Sequence, residues 1–319
     1  IADESLASFV RRRLGREALE RMAQPMVGGI YTADPETLSL RATLPRFLDM
    51  ERDHRSLILA MLRKARSESG TSGARYSLFL SFDRGMQVLV QALGKAISGC
   101  EIRLDTRVST IERERGWRIK TDRAETINTD ALCLAVPAYV ASRLLANVNP
   151  ALATQLNQIK YASTATINFA YRRDAIPHPL DGFGFVVPFV EKRSLIACTF
   201  SSVKFPGRAP DDHVLLRAFV GGALQPEMFA LDEAEMLARV QNDLRKLLGI
   251  TAKPLFAEVS KWQESMPQYE VGHLDLVQAI ESEMARLPNL SLAGNAYRGA
   301  GVPDCIRSGE AAAEQLLDS

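Results

Sequence analysis

Near its C-terminus the chain reads Leu290-Ser-Leu-Ala-Gly294-Asn-Ala-Tyr-Arg-Gly299-Ala-Gly301-Val-Pro303-Asp-Cys305. Leu290 and Leu292 end a short apolar run of the kind that makes a buried strand. Gly294, Gly299 and Gly301 follow, and a residue without a Cβ lets backbone approach a neighbour closely. Pro303 sits where the first helical turn tolerates a missing N–H. The pattern predicts a helix from about Asp304 to Leu317, its free amides and positive dipole end facing the glycine turn. Two readings of that turn stand: an ordinary glycine-rich connection, or a seat for an electron-rich group such as the N1–O2 edge of a reduced flavin.

Outward from this turn, residues 1–80 read as helical. Leu6, Phe9, Val10, Leu14 and Leu19 form one apolar stripe, and a second helix is expected from Leu44 or Phe47 to Arg66. Ser67-Glu-Ser-Gly-Thr-Ser-Gly-Ala74 is the best candidate for a mobile loop. Met86, Leu89, Leu93 and Ile97 mark another helix. Residues 102–136 predict a hairpin followed by a fully buried strand over Ala131–Val136. Residues 151–286 read as a second unit. Ser163–Tyr171 alternates like a half-buried antiparallel strand, and runs near 183–187, 195–200, 214–220 and 256–262 add more. Helices over Glu233–Leu248 and His273–Leu287 complete an antiparallel sheet with helices on one side. Residues 288–319 return to the first sheet.

Composition excludes several classes. With 319 residues, 46% apolar and 24% charged, the chain is an ordinary globular one, and a net charge of +1 gives no case for a nucleic-acid partner. No apolar run approaches the ~18–20 residues of a membrane span. Arg11-Arg-Arg13 and Arg16 read as a solvated helix face, with contact to anionic headgroups the minority reading. Cys100, Cys133, Cys198 and Cys305 stand apart in apolar surroundings and read as reduced core thiols of a cytoplasmic protein. His54, His178, His213 and His273 show no ligand spacing, so no metal is expected. Hydrolase and P-loop motifs are absent, which suits chemistry carried by a cofactor.

The segment Gly294–Gly309 resembles the C-terminal flavin motif of the oxygen-dependent protoporphyrinogen oxidase family, within the flavin amine oxidase superfamily. Pro25–Glu36, Leu38–Ala42, Gly182–Pro188, Lys204–Pro210, Trp262, Met266–Tyr269 and Gly272-His273 fit the same family in the same order. The fold class implied is mixed α+β and α/β. It comprises a helical, membrane-docking-like region at 1–80, part of a Rossmann-like FAD-binding domain at 81–150 and 287–319, and an antiparallel substrate-binding domain at 151–286. Family members open with a G-x-G-x-x-G turn that holds the FAD pyrophosphate. The nearest string here, Gly182-Phe-Gly184-Phe-Val-Val187, ends in Val inside a strand-like run. The resemblance therefore implies an N-terminally truncated fragment, with FAD weakly held or absent and no activity alone.

The reaction implied is oxidation of protoporphyrinogen IX to protoporphyrin IX in haem biosynthesis, with O2 giving H2O2. Coproporphyrinogen III is the close alternative, and the apolar stretches 183–188 and 195–200 favour the less carboxylated substrate. A flavin amine oxidase is more distant, because Phe219 and Trp262 do not make an aromatic cage. A non-catalytic tetrapyrrole-binding module is the alternative of another class. Substrate-binding positions carried over by the resemblance are Phe183, Gly184, Val186, Thr199 and Phe219. Phe219 would stack on a pyrrole, Val186 would close the opposite side, and Thr199 replaces a usually aliphatic residue. Cofactor-binding positions are Val108, Trp262, Gly294, Ala300, Gly301 and Val302. No residue is assigned as catalytic. The expected place is cytoplasmic, with peripheral docking on the inner membrane face through residues 1–80.

Overall fold

The computed structural model describes residues 3–54, 56 and 80–318. Three apolar cores organise them. The largest belongs to a five-stranded antiparallel sheet in the order β6-β7-β8-β5-β9. Its strands are β5 (Tyr161–Arg172), β6 (Gly184–Val186), β7 (Ala197–Phe200), β8 (His213–Gly221) and β9 (Phe256–Pro267). Alternation decides its two faces. Ala165, Ile167, Phe169 and Tyr171 on β5, with Val214, Leu216, Ala218 and Val220 on β8, are buried on one side. The helix Glu233–Leu248 covers them with Met236, Val240, Leu244 and Leu248, spaced by four. Asp232 caps its start by accepting from the Glu235 N–H at 2.8 Å, and Gly249 ends it at φ +70°.

The second core joins a three-stranded sheet to a parallel pair. Strands β1 (Val108–Arg113), β2 (Trp117–Thr121) and β3 (Thr126–Thr129) run antiparallel, and Trp117 is fully buried in a core that also holds Leu290, Ala296 and Tyr297. β4 (Leu132–Leu134) and β10 (Leu290–Leu292) form a parallel pair. The third core packs Leu6, Phe9, Val10, Leu38, Leu40 and Leu48 around Tyr269.

Several expectations need correction. Ile102 and Leu104 lie outside any strand and are exposed. The strand expected to be fully buried over Ala131–Val136 is only β4, and Cys133 on it is exposed. Burial on both faces requires a layer on each side, and the described residues supply one. The cysteines divide rather than sharing a core: Cys198 is buried, Cys305 intermediate, Cys100 and Cys133 exposed. The helix expected from Leu44 or Phe47 to Arg66 appears as Pro45–His54, and its later part lies outside the described residues, as does the loop Ser67–Ala74. The basic cluster is a solvated face, with Arg11 paired to Glu36, Arg12 to Glu4 and Glu51, and Arg16 to Glu20. Among the described residues no helix is long and apolar enough to cross a membrane.

Candidate functional site

The outer face of the five-stranded sheet collects residues far apart in sequence. Across the strands, Val186 pairs with Ala197, Ala197 with Phe219, Phe219 with Thr166, and Thr166 with Ser260. The neighbouring row runs Gly184, Thr199, Arg217, Asn168, Glu258. Thr164 pairs with Trp262 at the end nearer the C-terminus of β9. Side chains alternate along a strand, so these positions share one face, opposite the buried core. Phe219 is half-buried, while Val186 and Trp262 are exposed. The Trp262 Nε1–H donates to Thr166 Oγ1 at 3.4 Å, which sets the indole on the sheet.

Gly184 is required by this packing. Its φ is +139°, and a Cβ there would stand 2.2 Å from the Cys198 carbonyl oxygen. The pairing of β6 onto β7 therefore depends on glycine. Phe183 precedes β6, is exposed, and accepts from the Phe200 N–H at 3.0 Å through its carbonyl.

The glycine turn lies against the end of β9. Asn295 Nδ2 donates to the Ser265 carbonyl at 3.3 Å. Two residues past β9, the Tyr269 hydroxyl donates to the Asn295 carbonyl at 2.5 Å and accepts from the Gly299 N–H at 2.9 Å. Tyr269 stacks on His273 at 4.1 Å, and His273 Nε2 bonds the Tyr297 carbonyl at 2.9 Å. Burial raises the Tyr269 phenol above its ordinary pKa and lowers that of His273, so both stay neutral near pH 7. The turn is thus tied to the end of β9 and to the segment that follows it, through Ser265, Tyr269 and His273.

Not every glycine of the turn does what its sequence suggests. Gly294 takes φ +121° with nothing within 4 Å of a would-be Cβ, so it faces open space. Gly299, at φ +146°, is needed because Asp304 Cγ would lie 2.5 Å from its Cβ. Gly301 has an ordinary extended backbone and donates its N–H to Asp304 Oδ2 at 3.3 Å. The helix begins at Val302, which places Pro303 inside its first turn. The expected bare helix start is therefore partly capped by its own Asp304, itself paired with Arg307.

One side of this region is open. A groove of about 350 Å3 lies between the helices His273–Met284 and Val302–Leu317, lined by Leu292, Tyr297 and Ser308 among others. Ser291 Oγ and Tyr297 OH are buried without a partner among the described residues. Only Ala312 of the Val302–Leu317 helix is buried. The helix Gln87–Ala96 has no buried residue, although Val90 and Leu93 are apolar. Such faces are normally covered by another layer. The turn has room for a flat ring system: Gly294 leaves space, Ala300 is half-buried, and Gly301 and Val302 are exposed. Val108 stands apart, half-buried at the start of β1 and packed on the second core. Sequence reasoning missed Arg217, Asn168 and the Tyr269 clamp. Period-two alternation from Phe219 points to Arg217; no local signal points to the clamp.

A mixed fold in which an antiparallel sheet face meets a strand–glycine turn–helix unit is the architecture of FAD-dependent amine-oxidase-fold proteins. Structures similar to it include one from Exiguobacterium sp. 255-15, provisionally assigned as a protoporphyrinogen oxidase. It has a TM-score of 0.86 and 32% identity over 100% of this chain and 68% of that one. A reduced UDP-galactopyranose mutase shares the fold, with a TM-score of 0.73 and 14% identity over 100% and 69%. The chain belongs to the flavin containing amine oxidoreductase family, whose model matches residues 1–317. Coproporphyrinogen III oxidase of Bacillus subtilis (strain 168) is 31% identical, covering 99% of this chain and 67% of that protein. The chloroplastic protoporphyrinogen oxidase of Nicotiana tabacum is 30% identical over 98% and 62%. The chain thus spans about two thirds of the length of these relatives.

Proposed function

We propose that this chain is the substrate-binding and partial flavin-binding portion of an FAD-dependent porphyrinogen oxidase. The observation that carries the reading is the shared outer sheet face of Gly184, Val186, Thr199, Phe219 and Trp262, joined by β9 to the turn at Gly294–Val302. When bound, FAD would accept hydride from the porphyrinogen and pass the electrons to O2, giving H2O2. The chain's own residues bind and orient. Phe219 offers a ring for stacking against a pyrrole, Val186 and Ala197 extend the apolar floor, and Trp262 borders the turn. Gly294, Ala300, Gly301 and Val302 form one wall of the cofactor site. An apolar patch at Val186, Ala197 and Phe219, flanked by a polar row, suits a macrocycle whose reaction needs positioning rather than acid–base catalysis.

Protoporphyrinogen IX, giving protoporphyrin IX in haem biosynthesis, fits the apolar 183–188 and 195–200 stretches. Coproporphyrinogen III is favoured by the relatives from Bacillus subtilis and Propionibacterium freudenreichii, both named coproporphyrinogen III oxidases, and by the polar row beside Phe219. We further propose that a dinucleotide-binding segment covers the open groove and the apolar face of Gln87–Ala96, and that without it FAD is weakly held and the chain is inactive. A tetrapyrrole-binding module without catalysis is the alternative class.

The test adds a dinucleotide-binding segment from one of the relatives in trans. The chain alone should purify without oxidised-flavin absorbance. With the segment, flavin absorbance, fluorescent porphyrin and H2O2 should appear, and thiol labelling of exposed Cys133 should slow. Tight FAD binding by the chain alone overturns the need for the segment. A flavin-loaded complex that turns over neither porphyrinogen overturns the oxidase reading, and porphyrin binding without turnover supports the module.

A further inference from the structure

The second row of the sheet face carries a cation that the stacking floor does not use. Arg217 lies two residues before Phe219 on β8, so both project to the outer face about 6.6 Å apart along the strand. It pairs across the sheet with Thr199 on one side and Asn168 on the other. Arg217 Nε donates to Asn168 Oδ1 at 2.8 Å, which fixes the plane of the guanidinium. Its two terminal nitrogens have no protein partner among the described residues, and no carboxylate there forms an ion pair with it. Glu258, the acid in the row, lies one strand beyond Asn168. The other arginine on the same face is committed, Arg172 to Asp174, and the His213 ring is hydrogen-bonded to Asp212. The arrangement is a planar fork held from behind, with its two front donors open beside an aromatic floor. Such a fork matches a carboxylate in bidentate fashion.

We infer that Arg217 is a substrate-carboxylate anchor, and that the ligand lying over Phe219 carries an alkyl carboxylate reaching the Gly184–Thr199–Arg217–Asn168 row. This rests on the porphyrinogen reading and deepens it: the ligand class is a tetrapyrrole with a propionate on the edge above that row. Thr199 and the Asn168 amide flank the fork and complete a polar strip along an otherwise apolar floor. Arg217 touches no reacting carbon in this scheme. It is a specificity-determining residue, and it makes a porphyrinogen with more propionates the better fit in more orientations.

The test is fluorescence titration of the chain with coproporphyrin III and with its tetramethyl ester, which keeps the ring and removes the charges. Arg217→Gln should weaken binding of the free acid about tenfold and leave the ester unchanged, as expected for a lost charge-assisted pair. Arg217→Lys, which keeps charge but not the fork, should fall between. Phe219→Ala should weaken acid and ester alike. Equal loss of both ligands in Arg217→Gln, or no loss of either, overturns the anchor. Binding of neither acid nor ester, by the wild-type chain alone or with the added dinucleotide-binding segment and FAD, removes the tetrapyrrole reading itself; binding indifferent to Arg217 removes only this anchor.

Discussion

Tyr269→Phe tests whether the clamp, rather than local backbone preference, holds the glycine turn. The substitution keeps the ring and its stacking on His273 and removes only the hydroxyl. Two hydrogen bonds disappear, one to the Asn295 carbonyl and one from the Gly299 N–H. Each is worth about 1 kcal/mol net, and a part-buried N–H left without a partner adds to this, so the turn should lose about 2–3 kcal/mol. Expressed as local opening, that accelerates amide exchange about 30- to 150-fold, because 1.4 kcal/mol is about tenfold. Hydrogen-exchange mass spectrometry on peptides covering 290–305 reads it directly. Tyr297→Phe is the matched control. The Tyr297 hydroxyl is buried without a partner among the described residues, so its removal should be neutral or stabilise by about 1 kcal/mol. If exchange in Tyr269→Phe rises less than about threefold, or if the two variants behave alike, the clamp does not hold the turn.

Gly184→Ala should cost about 3 kcal/mol or more and detach β6, because the new Cβ meets the Cys198 carbonyl oxygen at 2.2 Å and φ is +139°. Gly182→Ala, with open space around it, should stay within about 1 kcal/mol of wild type; similar urea midpoints for both variants would refute the argument. His273 is buried with its pKa lowered, first by desolvation. The unfolded chain then binds more protons than the native one below the ordinary histidine range, so stability falls as pH drops from about 7 towards 5.5. Urea midpoints across that window should fall more for wild type than for His273→Gln, and equal slopes would count against the assignment.

Local chemistry made much of the secondary structure legible. Glu233–Leu248 was readable because Met236, Val240, Leu244 and Leu248 recur every fourth residue between an Asp cap and a Gly stop. β5 was readable because Ala165, Ile167, Phe169 and Tyr171 alternate. Errors fell where burial depends on distant partners. Ala131–Val136 looked like a strand covered on both faces, yet Cys133 is exposed because the described residues cover only one side. Gly294, Gly299 and Gly301 looked alike in the sequence, and the structure separates them: Gly299 packs against Asp304 while Gly294 faces open space.

The chain's residue order alone determined most of the helices and strands, because periodicity, capping and turn chemistry act over a few neighbours, and the candidate site positions followed from its resemblance to a family. Only the tertiary structure decided that Val186, Thr199, Phe219 and Trp262 share one face, and that Arg217 joins them with its fork open. It also decided that Tyr269 reaches across to the Asn295–Gly299 turn. Strand register and long-range hydrogen bonds join residues tens to hundreds of positions apart, and no local pattern encodes which pairs will meet.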